Sequence, residues 1–259
     1  MLDLRDRNRP SSVTAQAPRT WDFMETTFAA LVAYGVYGLV SGLALVALVA
    51  TQGSAALPPV GAQAIPSGPE CISGIAGSAA TIVVLWVAIR MARRDFSEYL
   101  ALNWPTRDEV MAAFMIAIML WIAQIVVSSL ISPAVPSTGT HLSFSSNGEL
   151  LILFVAICVV APIVEEFTFR GFIFRGWSES FVGPTATIVL TAAIWAACHT
   201  QYDWWARGWI FLSGLELGYF RWRNNSTWLA VIVPKLPAAV SIPPAAESVK
   251  KNELTAELV

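Results

Sequence analysis

The chain places two adjacent carboxylates and an arginine at the end of a long apolar run, in Val164-Glu165-Glu166-Phe167-Thr168-Phe169-Arg170-Gly171. Ionisable groups at membrane depth are energetically expensive and read by default as a functional site. On a helix, Glu166 and Arg170 stand four apart and share a stripe, while Glu165 falls on another. Arg170 can therefore neutralise Glu166 but not Glu165. Glu165 is expected to be an unpaired carboxylate suited to general-base work on a water molecule. A structural ion pair at a cytosolic helix end is the competing reading of this motif taken alone.

The elements around the motif decide its setting. Of 259 residues, 56% are hydrophobic and 13% charged, a composition of membrane proteins rather than soluble domains. The formal charge of −2 offers no basic face, so nucleic acid is not an expected partner. The cysteines are far apart, with Cys71 expected in a loop and Cys158 expected as a buried structural residue; no disulfide framework is indicated.

Residues 1–26 form a polar amino-terminal segment, and residues 27–148 read as three spans with their loops. The first span covers about Thr27 to Ala50, too long for a signal-peptide core. The second covers about Ile72 to Ala92 and the third about Val110 to Ile131. Residues 149–242 form the remaining core, and residues 243–259 a polar tail. Within the core, a fourth helix runs from about Glu149 to Trp177, kinked by Pro162. Gly183-Pro184 turns the chain into a fifth helix that reaches His199. A sixth covers Trp204 to Phe220, and a seventh starts near Ser226. The expected fold is an all-α polytopic bundle of about seven spans with its site in an intramembrane cavity. Arg5, Arg7, Arg9, Arg19, Arg90, Arg93, Arg94, Arg107, Arg170, Arg175, Arg221 and Arg223 then fall on one side, which places the amino terminus in the cytoplasm.

This topology sets the depth of the ionisable groups. Glu165 lies roughly 18 Å from the inner end of its helix and His199 roughly 22 Å along the antiparallel one. A carboxylate and an imidazole at matching depth are equipment for holding and deprotonating one water, as amide hydrolysis requires. Other signals are weaker. Glu216, near the inner end of the sixth span, reads as a snorkelling carboxylate. His141 falls in an outer loop.

Glu165-Glu166-x-x-x-Arg170, followed by Trp195-x-x-x-His199, resembles the CPBP family of intramembrane proteases. That family includes the type II CAAX prenyl endopeptidases and bacterial bacteriocin-processing or self-immunity proteins. The likeness extends through Phe172-x-x-Arg175-Gly176-Trp177, Tyr202-Asp203-Trp204-Trp205 and Gly214-x-x-x-Gly218-Tyr219-x-Arg221-x-Arg223. It implies that Glu165 activates the water, that His199 helps hold it, and that Glu166 with Arg170 is a buried structural pair. It also implies a membrane-bound peptide or protein substrate, prenylated or otherwise, and a multi-pass protein of the bacterial inner membrane. The family commonly carries a metalloprotease label, which implies zinc. One histidine and one free carboxylate fall short of the three protein ligands usual for catalytic zinc, so a metal-independent glutamate mechanism is favoured.

The likeness stops after Val233. The family's third motif, His-x-x-x-Asn, donates hydrogen bonds to the oxyanion, and it should fall at residues 234 and 238; this chain has Pro234 and Ala238. Lys235 is a weak replacement donor. A frameshift near the 3′ end of the gene and divergence to a non-catalytic role would each leave this boundary. Three functions stay open: an endopeptidase impaired by that loss, an inactive member acting as a membrane immunity or regulatory factor, and a proton-coupled transporter. The transporter is disfavoured by the lack of an internal repeat.

Overall fold

The computed structural model describes residues 19–52, 67–131 and 147–233. His141, Pro234, Lys235, Ala238 and the polar tail lie outside the described residues. Of the described residues 85% are helical, and no strand occurs among them. A bilayer leaves backbone polar groups no partner but one another, so apolar chains of this kind cross it as helices.

The helices are α1 (Phe23–Gln52), α2 (Gly68–Met91), the short α3 (Phe96–Tyr99) and α4 (Arg107–Ile131). Next comes one continuous rod, α5 (Asn147–Phe154), a π segment (Val155–Val160), α6 (Ala161–Glu166), a second π segment (Phe167–Ile173) and α7 (Phe174–Ser178). The chain ends with α8 (Gly183–Cys198), α9 (Trp204–Asn224) and α10 (Thr227–Ile232). Four stretches are long and apolar enough to cross a membrane: Phe23–Thr51, Gly68–Met91, Arg107–Leu130 and Gly148–Ser178. Helix α8 is apolar but shorter. Helix α9 is diluted by Arg207, Glu216, Arg221 and Arg223. The protein is a helical membrane bundle.

At Pro162, where a kink is expected, the rod changes its hydrogen bonding. Proline has no amide hydrogen to donate, and the rod accommodates it by widening just before it: the Ala161 amide reaches back to the Ala156 carbonyl. A second widening, over the motif itself, has no proline to announce it. There the Phe174 amide bonds to the Phe169 and Gly171 carbonyls.

Two buried clusters flank the rod. One joins Ala33 of α1, Leu85 and Ile89 of α2, and Tyr99 and Leu100 to Phe172 and Trp177 of the rod. The other joins Ala113 and Ala117 of α4, Trp195 of α8, Leu217 of α9 and Leu229 of α10. Phe169 packs against both, so the motif lies at their seam. Helices α1 and α2 meet closely at Gly77, where an added Cβ would lie 2.9 Å from the Tyr37 carbonyl oxygen, as small-residue packing between membrane helices requires.

The connection between α2 and α4 is built as a buttress. Asp95 caps α3 by accepting from the Ser97 and Glu98 amides. Its far end is tied to α10: the Thr227 amide donates to the Ala101 carbonyl at 2.9 Å and the Thr227 hydroxyl to the Leu100 carbonyl at 2.5 Å. Leu100 in turn rests on Gly171, where a Cβ would meet its Cδ2 at 2.9 Å. The loop therefore braces the second π segment directly.

Two cysteine expectations change. Cys71 lies in α2 and is buried, because that helix starts earlier than its apolar run. Cys158 is exposed rather than buried, in the first π segment, which contributes no buried residue. Cys198 is exposed as well.

Candidate active site

The Glu166 and Arg170 side chains are both fully buried. They meet in two places, Arg170 Nε with Glu166 Oε2 at 3.2 Å and Nη1 with Oε1 at 3.3 Å. A buried pair needs its remaining polar atoms satisfied if it is not to destabilise the fold. Arg170 Nη2 donates to the Gly214 carbonyl of α9 at 3.4 Å. The bare Cα of Gly214 lets α8 pack close to α9: a Cβ there would lie 2.8 Å from Ala192 Cβ and 3.3 Å from Trp195 Cε3.

Glu165 faces another way, as its position on the helix requires, and it is half-buried. It is not the unpaired carboxylate expected from the sequence. Trp195 Nε1 on α8 donates to Glu165 Oε2 at 3.1 Å. The same indole lies beneath the Arg170 guanidinium, whose Cζ is 4.6 Å from the ring centroid. The Trp195 carbonyl meets His199 Nδ1 at 2.7 Å, and the two rings stand edge to face with centroids 4.9 Å apart. Glu165 and His199 thus each contact the same tryptophan, one through its indole and the other through its backbone carbonyl.

His199 lies just beyond the last turn of α8, not within the helix as expected. Its φ of −83° and ψ of 57° end the helix there, and the helical bonding stops with its amide on the Ala196 carbonyl. Its ring stacks on Tyr202 with a centroid distance of 6.2 Å. Asp203 then starts α9 by accepting from the Ala206 amide at 2.8 Å.

The stretch that holds Glu165, His199 and the buried Glu166–Arg170 pair also matches a family model. Residues 147–233 match the model described as Rce1-like, type II CAAX prenyl endopeptidase Rce1-like. The chain carries an Rce1-like segment. No curated protein and no solved structure matches the chain.

The Rce1-like segment does not fit a catalytic zinc ion. Among the described residues, no three or more His, Cys, Asp or Glu side chains are grouped to hold a metal. The two groups that do converge have Nδ1 and Oε2 already engaged with Trp195.

Sequence reasoning missed two contributors. Trp195 was visible as the aromatic head of the second motif, but its donor N–H became relevant only once α8 lay against the rod. Arg221 read as an inner-side charge; in the fold it is buried, donates from Nε to the Arg170 carbonyl at 2.8 Å and from Nη1 to Asn225 Oδ1 at 2.9 Å. Its proximity to Arg170 had no signal in sequence spacing. Glu216 does not snorkel fully: its Oε1 is buried without a hydrogen-bond partner.

Proposed function

We propose that the protein is an intramembrane endopeptidase that hydrolyses a peptide bond of a membrane-associated substrate, with prenylated CAAX-type peptides as the first class to test. The observation that carries this reading is the convergence of Glu165 and His199 on Trp195 within the Rce1-like segment. Glu165 takes a proton from water as the water oxygen attacks the scissile carbonyl, and returns it to the leaving amide nitrogen as the carbon–nitrogen bond breaks. His199 helps hold the water. Glu166 and Arg170 keep the rod in register and stay out of the chemistry. The site opens toward the cytosol and the lipid of a bacterial inner membrane, with the amino terminus cytoplasmic.

Turnover is low in this reading. Residues 234 and 238, where the family places its oxyanion donors, are Pro234 and Ala238. Loss of one such donor lowers turnover by about 10²–10³. The same substitutions favour a second reading, a catalytically inactive member acting as a membrane immunity or regulatory factor.

The test uses the full chain in lipid nanodiscs with a farnesylated peptide ending in a CAAX sequence, and product detection by mass spectrometry. Cleavage by the wild type, abolished in Glu165→Gln and in His199→Ala and insensitive to chelators, supports the peptidase. Absence of cleavage by the wild type overturns it in favour of the inactive reading.

A further inference from the structure

We propose that Trp195 is a positioning residue: its indole N–H fixes the Glu165 carboxylate while its backbone carbonyl fixes the His199 ring. The proposal deepens the peptidase reading and rests on it only for the statement that Glu165 and His199 do chemistry.

Trp195 is 3% exposed, so its N–H needs a partner inside the protein. That partner is a carboxylate oxygen, Glu165 Oε2 at 3.1 Å, which makes the bond charge-assisted. The ring is itself held. The Arg170 guanidinium covers one region of it, and Gly214 leaves room for its Cε3 edge. A cation over the ring also draws electron density from the indole and strengthens its N–H as a donor. The buried Glu166–Arg170 pair thereby reaches the neighbouring carboxylate through an aromatic ring, which explains how two adjacent glutamates can be anchored separately.

The backbone contribution is independent of the side chain. A carbonyl oxygen can only accept, so His199 Nδ1, 2.7 Å from the Trp195 oxygen, carries the proton. In the neutral ring Nε2 is then the acceptor. One residue thus fixes the plane of the base and the tautomer of the histidine. Phenylalanine at 195 keeps an aromatic ring and the backbone carbonyl, and removes the N–H together with part of the indole.

The experiment has two arms on the full chain in detergent micelles. In the first, ¹⁵N-indole-labelled protein is examined by NMR, with the Trp195 signal identified by its loss in Trp195→Phe. Glu165→Gln replaces a charged acceptor with a neutral one, so the Trp195 indole proton moves upfield; an unmoved signal overturns the proposal. In the second arm, Trp195→Phe is assayed on the farnesylated peptide. A fall of about 10- to 100-fold in kcat at unchanged KM is expected, because the substitution misaligns the base without touching substrate. A wild-type kcat in Trp195→Phe overturns the positioning role while leaving the peptidase reading intact. If the wild type does not cleave, the peptidase reading fails and the NMR arm alone decides whether Trp195 holds Glu165.

Discussion

Arg221 donates its Nε hydrogen to the backbone carbonyl of Arg170 at 2.8 Å, so one buried guanidinium holds the backbone of the residue that bears another. The bond is made where the rod widens and the Phe174 amide bonds to the Phe169 and Gly171 carbonyls. Arg221→Met removes this donor from the buried Arg170 carbonyl, and also the bond to the exposed Asn225 side chain. The expected loss is about 1–3 kcal/mol of stability, read as a lower thermal midpoint in detergent. Arg221→Lys should not restore the wild-type midpoint, because an ammonium cannot span both acceptors.

The adjacent glutamates should separate cleanly by stability. Glu166→Gln breaks a fully buried ion pair and strands the Arg170 charge, with an expected loss of about 3–5 kcal/mol. Glu165→Gln retains an acceptor for the indole and should lose about 1 kcal/mol or less. Equal losses in the two variants, measured by thermal unfolding, would contradict the assignment of Glu166 as the structural member.

Two glycines on α9 give an internal control. Gly214→Ala forces a Cβ to 2.8 Å from Ala192 Cβ and 3.0 Å from Ala192 Cα, and the backbone of α8 must move. Overpacking of this kind costs about 1–3 kcal/mol, and here it also displaces Trp195. Gly208→Ala meets nothing within 4 Å and should be neutral or stabilising by up to about 1 kcal/mol. Paired thermal midpoints distinguish a packing effect from a general intolerance of α9 to substitution.

The buttress between α2 and α4 should be acid-sensitive. Hydrogen bonds from the Ser97 hydroxyl, then from the Glu98 amide, hold the Asp95 carboxyl below its usual range. A carboxyl depressed in the folded state stabilises the fold above its unfolded pKa of about 3.9, and that contribution disappears as pH falls through the lower folded value. The thermal midpoint of the wild type should therefore drop below about pH 4 more steeply than that of Asp95→Asn, which has no charge to lose. Parallel curves would show that the cap contributes no pH dependence.

What the sequence determined is what local rules control. Apolar runs long enough for a bilayer specify helices with little ambiguity, and the order of α1, α2, α4, the rod, α8 and α9 follows from their lengths and the Pro, Gly and Arg residues between them. The Glu166–Arg170 contact was legible for the same reason: residues four apart on a helix face one another whatever surrounds them.

The tertiary structure decided everything that depends on a partner from another helix. The oxygen of Glu165 is held by a tryptophan thirty positions later, and the buried position of Arg221 depends on how α9 crosses the rod. The second π segment carries no proline or other local signal, and it is braced from outside by Leu100 and Arg221. Burial of Cys71 and exposure of Cys158 follow which helix face meets a neighbour, which an all-round apolar sequence does not encode. In a membrane helix both faces are apolar, so hydrophobicity selects the span but not the face, and packing between helices makes that choice.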